Sequence, residues 1–230
     1  MNIARSFITS VVRPLQISIK ESAARIVGIS GAAGAGKTTL ANLLCSSAIT
    51  LGRNAICLSL DDFCFGQLER KRRLIKWRAA PGSHDTNLLD SCLMQLARGI
   101  TPVYLPIYDK LIDDRRESRI IKSCPDLILI DGWFIGLSHQ LYESAWKHID
   151  LHVHLDISIE LAKQRRFERE AILRAKGGGL SPEQMNQFWS EVLEPISLNE
   201  VKDAGSHAQI IIQVKETFGQ LEYSLLVNRT

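Results

Sequence analysis

One eight-residue segment carries the clearest chemical signal in the sequence. Gly31, Gly36, Lys37 and Thr38 fit the pattern G-x-x-x-x-G-K-[ST], which cradles nucleotide phosphates. Glycines let backbone N–H groups point at phosphate oxygens, the lysine faces the β- and γ-phosphates, and the threonine hydroxyl is a ligand for Mg²⁺. We predict Lys37 to be catalytic. The residues predicted to bind the nucleotide are Gly31, Ala32, Ala33, Gly34, Ala35, Gly36, Lys37, Thr38 and Thr39.

Two acidic residues stand directly after apolar runs, at the strand ends where open α/β sheets bind their ligands. Asp131 ends the run 127–130, and Asp61 follows the run 55–60. An acid in the position of Asp131 is suited to hold Mg²⁺ or its water beside a nucleotide. Asp61 would face the γ-phosphate and could accept the proton of a substrate hydroxyl as general base. The competing interpretation is local, since such Asp side chains also form turns and cap helices.

The absence of certain motifs excludes some classes of nucleotide-binding protein. The chain contains no N-K-x-D guanine-reading motif, so ATP is the expected nucleotide. Two hypotheses remain: a small-molecule kinase, which uses a base such as Asp61, and a regulatory ATP-binding protein, which has no use for one. A net charge of +3, without interleaved basic and aromatic residues, argues against binding to nucleic acid.

Arginine clusters could stabilise the charge on a transferred phosphoryl group. Arg165, Arg166 and Arg169 lie on one charged helical segment, and we predict Arg166 to be catalytic. The alternative is a solvated helix face paired with neighbouring glutamates. A second basic run, 70–78, is either solvated surface or a means of attracting an anionic acceptor.

The elements that must position these groups are buried strands alternating with helices. Apolar runs predict strands at 26–30, 55–60, 127–130, 151–155 and 210–214. Helical spacing and composition predict helices at 39–49, 88–98, 159–176 and 182–192. This alternation is typical of a parallel sheet covered on both faces. We therefore predict a three-layer α/β sandwich of the P-loop NTPase type, with about five parallel strands. Its long connections, 63–87 and 100–122, are available for function.

Length and composition indicate one ordinary cytosolic domain. The chain has 230 residues and lacks an apolar run of the ~20 residues that a membrane helix requires. Its five cysteines form no C-x-x-C pair, which favours a reducing compartment over a disulfide framework or a zinc finger. We predict a leading segment at 1–24, packed as a helix on a domain at 25–230. A transit peptide is the alternative, because Arg5 and Arg13 precede the first acid.

Several segments recur in an order and at a spacing that resemble a known superfamily. They are the phosphate loop and residues 59–63, 81–85, 106–110 and 130–133. Together they are similar to the phosphoribulokinase, uridine kinase and pantothenate kinase superfamily over roughly residues 25–215. Within it, the chain most resembles the plant and cyanobacterial type of D-glycerate 3-kinase, through residues 82–85, 108–110 and 178–193.

The resemblance implies an ATP- and Mg²⁺-dependent kinase with a helical lid at about 160–190. Gly177–Gly179 would suit its hinge, because a hinge must absorb backbone change. The resemblance also makes Asp61 the catalytic base and a neighbour of Mg²⁺, beside Thr38 and Asp131.

The sequence constrains the acceptor less than it constrains the nucleotide. Acceptor-side candidates are Asp62, His84, Asp85, Tyr108, Asp109 and Arg115. The resemblance implies D-glycerate, for which arginine at the acceptor loop is expected. A nucleoside or pantothenate acceptor stays open, because Phe63, Phe65 and Tyr104 could stack on a base. We expect a small-molecule partner, with no nucleic acid and no membrane, and leave a homodimer open.

Overall fold

The computed structural model describes residues 7–78, 80–217 and 220–228. The first six residues of the predicted leading segment, Arg5 among them, lie outside the described residues. The strands are β1 (Ile26–Gly31), β2 (Ala55–Ser59), β3 (Val103–Asp109), β4 (Asp114–Ile121), β5 (Leu127–Asp131), β6 (Leu151–Ile157), β7 (Ile210–Thr217) and β8 (Gln220–Val227). The helices are α1 (Arg13–Glu21), α2 (Lys37–Thr50), α3 (Gln67–Arg72), α4 (Thr86–Ala97), α5 (Glu143–Trp146), α6 (Ile159–Ala175), α7 (Pro182–Phe188), α8 (Glu194–Ile196) and α9 (Lys202–Ser206).

The central sheet has the strand order β2-β5-β1-β6-β7-β8 within the described residues. The first five strands in this order run parallel, and β8 returns antiparallel beside β7. The predicted α/β fold with about five parallel strands is thus confirmed. Two features were not predicted from the sequence: β8, and the separate antiparallel hairpin β3–β4, which occupies most of the connection 100–122.

Two hydrophobic cores cover the two faces of the sheet. One core contains residues of α4, of β3 and of the chain after β5, such as Leu93, Leu105 and Phe134. The other contains α2 and the helical chain before β1, where a π-helical turn (Ile8–Val12) runs into α1 and buries Val11 and Leu15. Helices therefore lie on both faces, which makes the three layers that the sequence predicts.

The segment expected to form the lid consists of two capped helices. Ser158 caps α6 by accepting from the N–H of Leu161 at 3.2 Å. Ser181 caps α7, and the side chain of Gln184 completes a capping box there. Between them the chain turns at Gly177, whose φ of 85° is in the left-handed region. No helix in the described part of the chain is long and apolar enough to cross a membrane.

Candidate active site

The phosphate loop joins the carboxyl end of β1 to the amino end of α2, the context that the motif requires. Gly34 and Gly36 have φ of 102° and 99°, a conformation that side chains rarely adopt. A Cβ atom at Gly34 would lie 2.2 Å from the carbonyl oxygen of Ala162, because the loop packs closely against α6. A loop of this shape at the start of a 14-residue helix is suited to bind phosphate oxygens.

Lys37 is held inside the loop and lies close to two acids. Its Nζ donates to the carbonyl oxygens of Gly31 and Ala32, both at 2.8 Å. Burial lowers the pKa of Lys37 to about 8, although the carboxylates of Asp131 and Asp61 act in the opposite direction. The ammonium is therefore charged at neutral pH, where it can neutralise phosphate, and loses its charge in mildly alkaline solution.

Oxygen ligands suited to Mg²⁺ gather at the ends of β2 and β5. Ser59 donates to Asp131 Oδ1 at 3.1 Å, and Thr38 is also hydrogen bonded to that carboxyl group. Burial raises the pKa of Asp131, and a bound cation would favour its charged form. Hydroxyl and carboxylate oxygens are the ligands that Mg²⁺ prefers. The donor set fits the metal, and the assignment of Thr38, Asp61 and Asp131 to it remains a prediction.

Asp61 lies in the 3₁₀ turn Leu60–Phe63, directly after β2, and lines the same cavity as Lys37. Lys110, from the hairpin, donates to its Oδ2 at 2.6 Å. Burial favours a raised pKa for Asp61, but Lys110 and Arg78 outweigh this effect and hold the pKa well below its usual value. Asp61 is therefore charged at physiological pH and can accept the hydrogen bond of a substrate hydroxyl.

Two buried nitrogen atoms near Asp61 have no hydrogen-bond partner among the described residues: Nε2 of His84 and Nη1 of Arg78. The hydroxyl of Tyr142 lies 2.8 Å from the other ring nitrogen of His84 and holds the imidazole in place. Burial lowers the pKa of His84 to about 4, so the ring is neutral at physiological pH. Arg78 reaches an acid, Asp113, at 3.8 Å. Arg78 lines the same cavity as Asp61, whereas His84 is buried directly behind this corner and does not line the cavity.

The same corner contains a set of atoms that could in principle bind a metal. Ligand atoms of Asp61, Cys64 and His84 lie within 4.8 Å of one another. However, the positive charges of Lys110 and Arg78 act on the same carboxylate. Because like charges repel strongly in a partly buried site, this corner favours an anionic ligand over a divalent cation.

Two of the predicted acceptor-side residues hold the protein itself together. Asp85 is the N-cap of α4 and accepts from the N–H of Leu88 at 3.1 Å. Arg115 donates to the carbonyl oxygens of Phe63 and Cys64, at 2.9 and 2.7 Å. The contacts of Arg115 hold the turn that carries Asp61, whereas the side chain of Asp85 holds the start of α4.

Three further candidates lie in the turn that carries Asp61 and at the end of β3, next to the hairpin turn. Asp62 accepts from the backbone N–H of Tyr108 at 3.1 Å. The buried hydroxyl of Tyr108 donates to Asp113 Oδ1 at 2.8 Å. Asp109 forms an ion pair with Arg116. The structure therefore brings the predicted segments together, but His84 alone among these six candidates has a buried nitrogen without a partner in the described chain.

The arginines of α6 differ in what they contact. Arg166 is buried and forms an ion pair with Glu170 one helical turn away. Arg169 is exposed and forms no hydrogen bond or ion pair with described residues, and both arginines line the cavity. Arg169 is near enough to Lys37 and Asp61 to influence the pKa of both. Arg169 is thus better placed for charge stabilisation, and the catalytic role of Arg166 remains a prediction.

The cavity that contains these groups has a volume of about 580 Å³. Arg78 lines it and belongs to the basic run 70–78, which the sequence offered as a means of attracting an anionic acceptor. Lys110 was not predicted as a site residue; it does not line the cavity but bonds Asp61 and ends one of the recurring segments. Phe7 and Tyr223 line the cavity too, and no motif marks them.

The chain is similar to known kinases in sequence and in fold. Residues 26–218 match the family model described as the phosphoribulokinase / uridine kinase family. A uridine kinase of Staphylococcus carnosus is 27% identical over 194 residues, covering 83% of this chain and 88% of that protein. A chloroplastic D-glycerate 3-kinase of Arabidopsis thaliana is 28% identical over 209 residues, covering 73% and 46%. The solved D-glycerate 3-kinase of Cryptococcus neoformans shares the fold, with a TM-score of 0.71, 19% identity and coverage of 89% and 95%.

Proposed function

The chain belongs to the phosphoribulokinase/uridine kinase family, and on this premise we propose that it phosphorylates D-glycerate. The family supports the coarser statement that the protein is a P-loop kinase, which transfers phosphate from ATP to a hydroxyl acceptor. One observation favours a small hydroxy acid as the acceptor. It is the pair of buried nitrogens without a hydrogen-bond partner in the described chain, Nη1 of Arg78 and Nε2 of His84, near the carboxylate of Asp61.

These groups match the functional groups of a short hydroxy acid. The planar guanidinium of Arg78 can bind a carboxylate through two parallel hydrogen bonds. The neutral imidazole of His84 can bind a hydroxyl group, and Asp61 can accept the proton of the hydroxyl that reacts. D-glycerate offers one carboxylate and two hydroxyls, so each protein group has a counterpart.

A nucleoside acceptor would need a flat surface for its base, and the three aromatic residues considered for this purpose are placed poorly. Phe63 is buried in a hydrophobic core. Phe65 is covered by the guanidinium of Arg73, 4.2 Å from the ring centroid. Tyr104 is exposed on the hairpin. These three residues therefore offer no stacking surface for a base, although Trp133 and Phe188 line the cavity and uridine kinases are among the relatives. The preference for glycerate rests on Arg78 and His84.

In the proposed reaction the acceptor hydroxyl attacks the γ-phosphorus in line. The new oxygen–phosphorus bond forms as the bond from the γ-phosphorus to the bridging oxygen breaks, ADP leaves, and the proton passes to Asp61. Lys37 and Arg169 stabilise the charge on the transferred phosphoryl group. Mg²⁺, held by Thr38 and Asp131, would neutralise charge on the β- and γ-phosphates.

The test is ADP formation from Mg-ATP with D-glycerate, uridine, cytidine, pantothenate or ribulose 5-phosphate. We expect D-glycerate to stimulate ADP formation most. Asp61→Asn should abolish this stimulation while ATP still binds, and Asp203→Asn, an exposed site on α9, should behave as wild type. Stimulation by uridine alone would identify a nucleoside, and not D-glycerate, as the acceptor. Binding of ATP without stimulation by any compound would favour a regulatory ATP-binding protein.

A further inference from the structure

The cavity of the proposed active site continues away from Asp61 to a second, aromatic wall. Thr39 and Leu43 of α2, Phe7, and Tyr223 of β8 line this end together with Arg165 of α6. The rings of Phe7 and Tyr223 meet edge to face, with centroids 4.6 Å apart.

This wall lies on the opposite face of the sheet from the acceptor corner. Phe7, Leu43 and Tyr223 pack against the core that contains α2, whereas Phe63, two residues after Asp61, belongs to the other core. Leu43 is six residues beyond Lys37 on α2, about 9 Å along the helix axis. A nucleotide with its phosphates at Lys37 would therefore have its base near this wall.

The chemistry of the wall suits a flat, neutral ring system. Two aromatic side chains and a leucine offer apolar surface, and burial raises the pKa of Tyr223, which keeps its hydroxyl neutral. Arg165 is hydrogen bonded to Tyr223 and brings a planar guanidinium to the same place. Aromatic rings and guanidinium groups both stack on bases.

We propose that Phe7, Arg165 and Tyr223 form the subsite that binds the purine base of the nucleoside triphosphate. This inference rests on the proposed function for the identity of the donor. Phe7 and Tyr223 both lie outside residues 26–218, which match the family model, so the family match does not supply the two aromatic rings of this wall. The helical chain before β1 and the last strand thus contribute directly to nucleotide binding.

The experiment measures binding by calorimetry, without acceptor, for the full-length protein. Its probes are Mg-ADP, Mg-UDP and inorganic tripolyphosphate, which has phosphates but no base. Phe7→Leu keeps an apolar side chain and removes the aromatic face. We expect it to weaken ADP binding roughly tenfold, to weaken UDP less, and to leave tripolyphosphate within about twofold.

Two further variants distinguish loss of the aromatic ring from a general loss of structure. Tyr223→Phe keeps the ring and should bind ADP nearly as well as wild type, whereas Tyr223→Ala should match Phe7→Leu. Ile17→Ala, at an exposed position on α1, is the control and should change no affinity. Unchanged ADP affinity in both Phe7→Leu and Tyr223→Ala would overturn the subsite. An equal loss for ADP and tripolyphosphate would also overturn it. Failure of the wild type to bind any phosphate probe would instead contradict the proposed function.

Discussion

The phosphate end and the acceptor end of the cavity are built in different ways. The phosphate end is one continuous loop, whose shape comes from its own glycines and whose lysine is held by loop carbonyl oxygens. The acceptor end combines groups from separate parts of the chain. Asp61 comes from the turn after β2, and Lys110 comes from the turn of the hairpin, between β3 and β4. His84 comes from the chain before α4, and Tyr142 from the chain after β5.

This difference affects how each end responds to substitution. A loop whose geometry is local depends on a few backbone positions and on one charge. An assembled corner depends on several long-range contacts, each of which can be altered separately. Substitutions at either end test this contrast. The largest effects are expected for the lid arginines, which are distant from the phosphate loop in sequence but lie at the phosphate end of the cavity.

The largest effect is expected for Arg169→Ala. If Arg169 stabilises the transferred phosphoryl group, its removal should lower kcat about 10²–10³-fold with little change in stability. Steady-state kinetics and thermal unfolding measure the two quantities. Lys176→Ala, exposed at the end of α6, is the control.

Arg166→Ala should lower stability more and kcat less than Arg169→Ala does, because Arg166 is the partner of the buried Glu170. Leaving that carboxylate unpaired should cost about 3 kcal/mol in the free energy of unfolding. A larger loss of kcat in a well-folded Arg166→Ala than in Arg169→Ala would restore the assignment of Arg166 as the catalytic arginine.

Arg78→Gln should act on the acceptor end alone. Loss of a hydrogen-bonding cation is worth about 1.5–3 kcal/mol, so KM for D-glycerate should rise roughly 10- to 100-fold. KM for ATP should stay within about twofold. Arg72→Gln, exposed in the same basic run, should leave both values unchanged. Equal increases in the two KM values would mean that the two ends are not independent.

The phosphate end should be sensitive to pH through Lys37. Since burial lowers the pKa of Lys37 to about 8, its charge is complete below that pH and is lost above it. We expect kcat/KM for ATP to fall about tenfold per pH unit above pH 8. The decline in kcat should begin at higher pH, because bound triphosphate stabilises the ammonium. Lys37→Arg should flatten the profile, and a flat wild-type profile to pH 9.5 would argue against this assignment.

The smallest effect is expected for Asp85→Ala, which removes the N-cap of α4. A lost cap costs about 1 kcal/mol, which corresponds to a decrease in Tm of about 2–4 °C for a chain of this size. Ser181→Ala, which removes the matching cap of α7, should give a similar decrease. KM for D-glycerate should change less than in Arg78→Gln. A change as large would show that Asp85 touches the acceptor.

The same contrast explains what could be predicted from the sequence. The phosphate loop, the strand-end acids and the five parallel strands follow from local patterns, which an eight-residue motif and continuous apolar runs make visible. The hairpin was missed because β4 is mostly charged and exposed, so it lacks the apolar signal of a strand. The sequence offered the basic run that contains Arg78 as a means of attracting an anionic acceptor. It could not single out Arg78 within that run, because this depends on which long-range contacts leave its Nη1 without a hydrogen bond.

The two hydrophobic cores have a consequence for divergence. The turn that carries Asp61 and the start of the hairpin rest on one core, whereas α2 and the helical chain before β1 rest on the other. Substitutions in the long connections can therefore reshape the acceptor corner while the packing beneath the phosphate loop is preserved. Proteins with this architecture can therefore change their acceptor and keep their nucleotide-binding site. The description of this family names two different kinases.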